Sequence, residues 1–281
     1  MRARKDRQIA VMLRGHVRTW HYIYPLVFDF YDNLADTVDY YFCTWDISNT
    51  KGVEETFKGK NLISFQILPH DLEITYLQDG GKYYNSALGP PYMNKMMEPY
   101  LNLKEKEMGR FYDAIFDTRP DILPSIKNKL TPIFPEANTV VVTGLEFQTN
   151  LTIPTNSKSG MKDIAVSDWC MMMGNKEFRQ MATRYYSGNW LYKAGEGPGC
   201  QIEYREYVTA QGLTLCTSDW IQANMIRPNC FTLDWRHRND VNKIQSSSSE
   251  WAPLDRDEKI RLCERYGVAL SDYMHSVTCR I

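Results

Sequence analysis

Between residues 8 and 46 the chain alternates between two hydrophobic periods, and that alternation limits its fold more than any other feature. QIAVMLRG (8–15) is a compact apolar run closed by Arg-Gly, the pattern of a buried strand that ends in a tight turn. RTWHYIYPLVFDFYDNLAD (18–36) then spaces its apolar residues as one face of a helix does, with Pro25 placed as an early-turn residue. VDYYFCTWD (38–46) returns to β-branched and aromatic residues and reads as a second strand. Strand, helix, strand over so short a span predicts a right-handed βαβ unit with a parallel sheet.

The remainder extends this α/β pattern. NLISFQILP (61–69) predicts a third strand, and LQDGGKYYNSALGPPY (77–92) a loop punctuated by Gly-Gly and Pro-Pro. MNKMMEPYLNLKEKEMGRF (93–111) reads as a helix that Pro99 kinks or divides. Strands are expected in YDAIFDTRPD (112–121), NTVVVTG (138–144) and IAVSDWCMMMG (164–174), the last with its methionines filling core. LTIPTNSKSGMKD (151–163) reads as a polar loop. A helix follows from Asn175, which is placed to cap it. After the loop GEGPGC comes another helix, 201–211, stopped by Gly212, and then a strand-like start in LTLCTSDWIQANMIRP (213–228). Residues 235–251 are polar and irregular, and RDEKIRLCERYG (256–267) has the pattern of a last amphipathic helix. There is no internal repeat and no clear linker. The expectation is one α/β domain of 281 residues, with a core over about 8–230 and a C-terminal appendage over 231–281.

Charge excludes some partners. With 33 basic and 34 acidic residues the net charge is −1, so no global field draws the chain to nucleic acid or to an anionic membrane. Anionic ligands must be met by local basic groups. No apolar run approaches the length of a membrane span, and the basic N-terminal stretch lacks the apolar segment of a signal peptide. The seven cysteines are scattered without a C-x-x-C pair, which argues against a zinc cage and for reduced thiols in a cytoplasmic protein. Asn150 in NLT matches a glycosylation acceptor and, without a secretion signal, is read as chance.

In an open parallel sheet, ligands bind beyond the carboxyl ends of the strands. Four polar clusters fall at such ends here: LRGHVRTW, TWD, DTRPD and VSDW. In the first, Gly15 allows a ligand close to the backbone, the following helix start favours an anion, and Arg14 and Arg18 supply cationic donors. The plainer alternative is a helix-start turn with solvated or carboxylate-paired arginines. Neither G-x-G-x-x-G nor a Walker A sequence is present. In DTRPD, an extended backbone would put residues 117, 119 and 121 on one face. Asp117 and Asp121 could then hold a hard divalent cation through oxygen, with Arg119 on a carboxylate or a phosphate. An internal Asp–Arg salt bridge that stabilises a turn is the alternative. Asp168 either binds an acceptor hydroxyl or caps the next segment. Glu203 and Glu206 share a helix surface, as a base or substrate ligand or as a solvated face. A lone His237 is more often a surface or packed residue than a ligand.

The order IAVMLRGHVRTW, DYYFCTWD, YDAIFDTRPDI, VSDWCMMMGNKEFRQM and then E-x-x-E-Y-V resembles a loose group of GT-A-like glycosyltransferases found in bacterial surface-polysaccharide loci and in viruses. The resemblance covers roughly residues 8–230 and rests on motif order and spacing. It implies a Rossmann-like, mostly parallel central sheet flanked by helices, and transfer of a sugar from a nucleotide-sugar donor to a glycan or other hydroxyl acceptor. By that resemblance Arg14, Gly15 and Arg18 contact the nucleotide, Asp46 approaches the base or ribose, and Arg119 and Asp121 serve the diphosphate and a metal, manganese or magnesium. Asp168 and Glu203 face the sugar or acceptor, Asp168 as first choice for a base. The usual D-x-D is absent, because Arg119 stands between more widely spaced acids, and an arginine could neutralise the diphosphate instead. Two rival classes fit the same residues. A nucleotidyltransferase or other metal-assisted phosphoryl-transfer enzyme would more naturally carry a Gly-rich phosphate loop. A non-catalytic nucleotide- or glycan-binding module would use the 18 tyrosines and 7 tryptophans for stacking, although those suit a core equally.

Overall fold

The computed structural model describes residues 6–17, 19–46, 48, 50–69, 89–126, 134–143, 145–147, 164–166, 170–181, 208, 210–217, 221–227, 243–246 and 269–270. It is a mixed α/β fold built on a central, mostly parallel sheet with helices on its faces. In chain order, β1 is Gln8–Arg14, α1 Trp20–Asp32, β2 Thr37–Trp45, β3 Asn61–Leu68 and α2 Gly89–Met108. Then follow β4 (Ala114–Thr118), β5 (Ile122–Ile126), β6 (Thr139–Val142), β7 (Leu145–Phe147), β8 (Ile164–Val166) and β9 (Cys170–Met173). The chain continues through α3 (Asn175–Arg179), β10 (Thr214–Thr217), β11 (Ile221–Arg227), β12 (Lys243–Ser246) and β13 (Ala269–Leu270).

Among the described residues the central sheet has eight strands in the order β13-β10-β6-β9-β4-β1-β2-β3. β9 runs antiparallel to both its neighbours, β4 and β6, and the other pairings are parallel. β1 is buried at every position because the sheet is covered on both faces, which is why its sequence is a continuous apolar run rather than an alternation. Alternate residues divide between two cores. Ile9, Val11 and Leu13 face α1, with Trp20, Ile23, Val27 and Tyr31, while Ala10 and Met12 face α2, with Met93, Met97 and Leu101. The aromatic excess sits in the α1 core. Trp20 stacks on Phe57 with ring centroids 5.3 Å apart, and Phe28, Tyr40 and Phe42 meet the same rings edge-on. The methionines of β9 also divide as strand residues do, Met171 and Met173 to one core and Met172 to the other.

Several expectations need correction. Pro25 lies inside α1 rather than in its first turn, and α2 begins at Gly89, so Pro90 and Pro91 belong to the helix and not to a loop. The DTRPD strand stops at Thr118. The chain turns there, with Ile122 N–H donating to Arg119 O at 3.1 Å, and enters β5, which pairs with β11 in a separate sheet ordered β12-β11-β5. Among the described residues β5 lies at the edge of this sheet, a position that tolerates Pro124. Within 231–281, the expected C-terminal appendage, β12 joins this small sheet and β13 the central one. The stretch expected as one strand contains two described ones, β8 (Ile164–Val166) pairing with β7 and β9 (Cys170–Met173) entering the central sheet. The expected helix at 256–267 lies outside the described residues. Gly212 ends a helix as expected, at φ +70° with Leu213 N–H donating to Val208 O.

The N-cap of α3 is Gly174, not Asn175. A Cβ at Gly174 would lie 2.5 Å from Glu177 Oε2, and the buried Glu177 accepts from Asn138 N–H at 2.6 Å. Asn175 instead donates to Glu105 of α2 and accepts from Arg179, which itself pairs with Glu105 at 2.7 Å. Gly174→Ala should therefore displace Glu177 and lower stability by roughly 1–3 kcal/mol, read as a lower urea midpoint at unchanged m-value.

Candidate functional site at the carboxyl ends of β1, β2 and β4

The order β3-β2-β1-β4 reverses direction between β1 and β4, so the chain's first strand sits at a topological switch point. In open α/β sheets a crevice opens beyond the carboxyl ends of the strands at that place. The register sets the tips level: Leu13 pairs with Thr118 and Arg14 with Cys43.

Arg14, the last residue of β1, continues the alternation of that strand and points to the α2 side. It is 1% exposed, and so is Asp117 of β4, which pairs with Met12 and so faces the same side of the sheet. Arg14 Nε donates to Asp117 Oδ1 at 2.5 Å and Nη2 to Oδ2 at 3.2 Å, while Asn94 of α2 donates to Oδ2 at 2.8 Å. A bidentate pair of this kind satisfies two ions that burial would otherwise penalise heavily. Arg14 is thus paired with a carboxylate, the plainer alternative for that arginine, and the pair ties β1, β4 and α2 together.

Gly15 follows with φ +120°, a conformation that side chains rarely adopt, and its N–H continues the sheet by donating to Cys43 O at 3.1 Å. Its α-carbon faces Pro120, whose Cδ would lie 3.9 Å from an added Cβ, so the loop after β4 closes over the end of β1. On that loop Arg119 is 20% exposed and Asp121 1%. Arg119 Nε and Nη2 donate to Asp121 Oδ1 and Oδ2 at 3.0 and 2.9 Å, a second bidentate pair. Asp46 lies beyond the end of β2, exposed, its N–H donating to Leu68 O at 2.9 Å. Ser48 joins the first two tips: its Oγ lies 3.1 Å from His16 Nδ1 and accepts from Val17 N–H at 3.4 Å.

Three adjacent strand ends therefore bring Gly15, Asp46, Arg119 and Asp121 to one edge. Arg18, Asp168, Glu203, Glu206 and His237 lie outside the described residues, Asp168 two positions before Cys170 in the chain. Sequence reasoning missed Asn94 and Ser48. Asn94 interrupts the apolar face of a helix and is buried, a signal visible as a polar residue at a core position; Ser48 had no such signal.

On the α1 side of the β4 tip, Tyr31 Oη lies 3.7 Å from Cys170 Sγ. Burial pushes the Cys170 thiol up to about 11 and holds Tyr31 well above the usual phenol range, so both stay neutral and neither is an activated nucleophile. Among the described residues, no group of three His, Cys, Asp or Glu side chains is placed to hold a metal. Of the two carboxylates expected to bind one, Asp117 accepts from Arg14 and Asn94, and Asp121 from Arg119. In comparisons with known proteins, no family model and no curated sequence matches this chain.

Removing one member of the inner pair strands the other ion in the core. Asp117→Ala and Arg14→Met should each cost about 3–5 kcal/mol, and the double variant Arg14→Met/Asp117→Leu should be more stable than either single change. Chemical denaturation of the four proteins checks this.

Proposed function

We propose that the chain is a glycosyltransferase of GT-A-like architecture that moves a sugar from a nucleoside-diphosphate sugar to a glycan or other hydroxyl acceptor. The observation that carries the reading is the Arg119–Asp121 pair standing beside Gly15 at the switch point of the sheet. A guanidinium fixed at this edge offers a planar fork suited to a pyrophosphate. Exposed Asp46 provides an acceptor for ribose or base.

In the reaction, the bond between the sugar's anomeric carbon and the diphosphate oxygen breaks, and the diphosphate leaves with added negative charge. Arg119 stabilises that charge where it develops. In the proposed assignment Asp168 takes the proton of the attacking hydroxyl and Glu203 is second choice, and Arg18 adds a phosphate contact. Manganese or magnesium, expected from the sequence, would have to compete with Arg119 for Asp121. The cytoplasmic location expected from the cysteines fits a nucleotide-sugar donor.

Thermal-shift titration with UDP, GDP and CMP, with and without manganese, tests the reading: at least one nucleotide should raise the melting temperature, and no response to any of them would remove its main support. Nucleotide binding without donor turnover would favour a binding module. Asp121→Ala should abolish hydrolysis of the nucleotide-sugar that the wild type turns over, while circular dichroism remains that of a folded chain. Wild-type turnover in that variant would take the β4 loop out of the site.

A further inference from the structure

We infer that the outer face of α2 docks on an anionic membrane surface, through a stripe of apolar side chains with basic residues around it. The inference goes beyond sugar transfer and does not depend on it.

The contacts of α2 fix which way the helix is turned. Met93, Met97 and Leu101 enter the core beneath it. Asn94 donates to Asp117, and Glu98 and Glu105 meet Arg179 of α3 at 3.7 and 2.7 Å. Met96, Tyr100 and Leu103 lie on the opposite, outer side. They are spaced four and then three positions apart, so they stand one above another along the helix. Their exposures are 36%, 44% and 57%. Scattered apolar residues on a surface are ordinary, whereas a stripe at the helical period makes a face.

Charge decides what that face fits. Lys95, Lys104, Lys106 and Arg110 surround the stripe, against Glu98 and Glu107. Of these acids, Glu98 is drawn to Arg179, and Glu107 lies 3.8 Å from Lys104. The outer face is thus locally positive in a chain whose net charge is −1. A second copy docked by a two-fold axis would set this positive patch against itself. An anionic lipid surface has the opposite charge, and each cation held near it adds to the attraction. Shape agrees with charge. An exposed helix is a convex ridge, which a fluid interface encloses and a rigid protein partner meets only with a groove. Met96 and Leu103 would enter the acyl boundary while the Tyr100 hydroxyl stays among the headgroups. Lysine stems reach past the apolar stripe and keep their ammonium groups in water. Asn94, two positions before Met96, touches the tip of β4, so the docked face adjoins the edge that carries the candidate site.

The test is co-sedimentation of the full chain with vesicles, one set of phosphatidylcholine alone and one of two parts phosphatidylcholine to one part phosphatidylglycerol. The chain should sediment with the anionic set only, and should leave it as sodium chloride rises from about 0.05 to about 0.5 M, because salt screens the attraction. Leu103→Ser should lower the partition coefficient about tenfold and Lys106→Gln about fivefold. Both residues are exposed, so thermal unfolding of each variant should match the wild type. Lys51→Gln, which removes an exposed lysine between β2 and β3, should leave partition unchanged. No sedimentation with the anionic vesicles overturns the inference. So does wild-type partition in Leu103→Ser or Lys106→Gln, or an equal loss in Lys51→Gln, which would mean that the attraction is not tied to this face. Light scattering supplies the last arm: a dimer that Leu103→Ser abolishes would give the stripe to a second copy and overturn membrane docking. Each of these results leaves the nucleotide-sugar reading to its own titration.

Discussion

The ion pair between Arg14 and Asp117 is the interaction on which the rest of the structure depends. It joins the ends of the two strands that flank the switch point, and Asn94 ties the same carboxylate to α2. Ions buried to this degree are tolerated only when their donors and acceptors are matched, so the geometry of the three elements cannot drift independently. With β1 and β4 held in register at their tips, the loops that follow them leave from fixed points. Gly15 and Pro120 then meet, and Arg119 and Asp121 come to lie beside the end of β1.

The two arginine–aspartate pairs have similar geometry and different surroundings. The inner pair, at 1% exposure for both members, belongs to the α2 core. In the outer pair Asp121 is equally enclosed, whereas Arg119 retains 20% exposure. The inner pair thus joins two strands within the core, whereas the outer pair lies within the loop after β4. A further buried network operates at the opposite end of the sheet. There Asp39 accepts from Gln8 and Asn61 and from Tyr112, whose hydroxyl lies 2.9 Å from that of Tyr41. β1 is thus anchored by polar contacts at both ends of an otherwise apolar run.

The central strands were legible because a strand covered on both faces must be apolar throughout, and QIAVMLRG and VDYYFCTWD have that composition. The small sheet was not, since β5 carries Pro124 and is completed by β11 and β12, more than ninety residues further along the chain. The reversal of β9 was equally hidden: a methionine-rich run looks the same whether it runs parallel or antiparallel.

The sequence by itself determined the α/β class, the first three strands with their helix, and the gathering of polar residues at strand ends, because hydrophobic period and turn chemistry are local properties. Only the tertiary structure decided what those residues do. Arg14 and Asp117 looked like ligand contacts and are internal partners 103 positions apart. Asp117 and Asp121 lie on either side of a turn, each paired with a different arginine. Which carboxylate meets which guanidinium depends on strand order and on the side of the sheet each residue faces, and neither is written in the spacing of the chain.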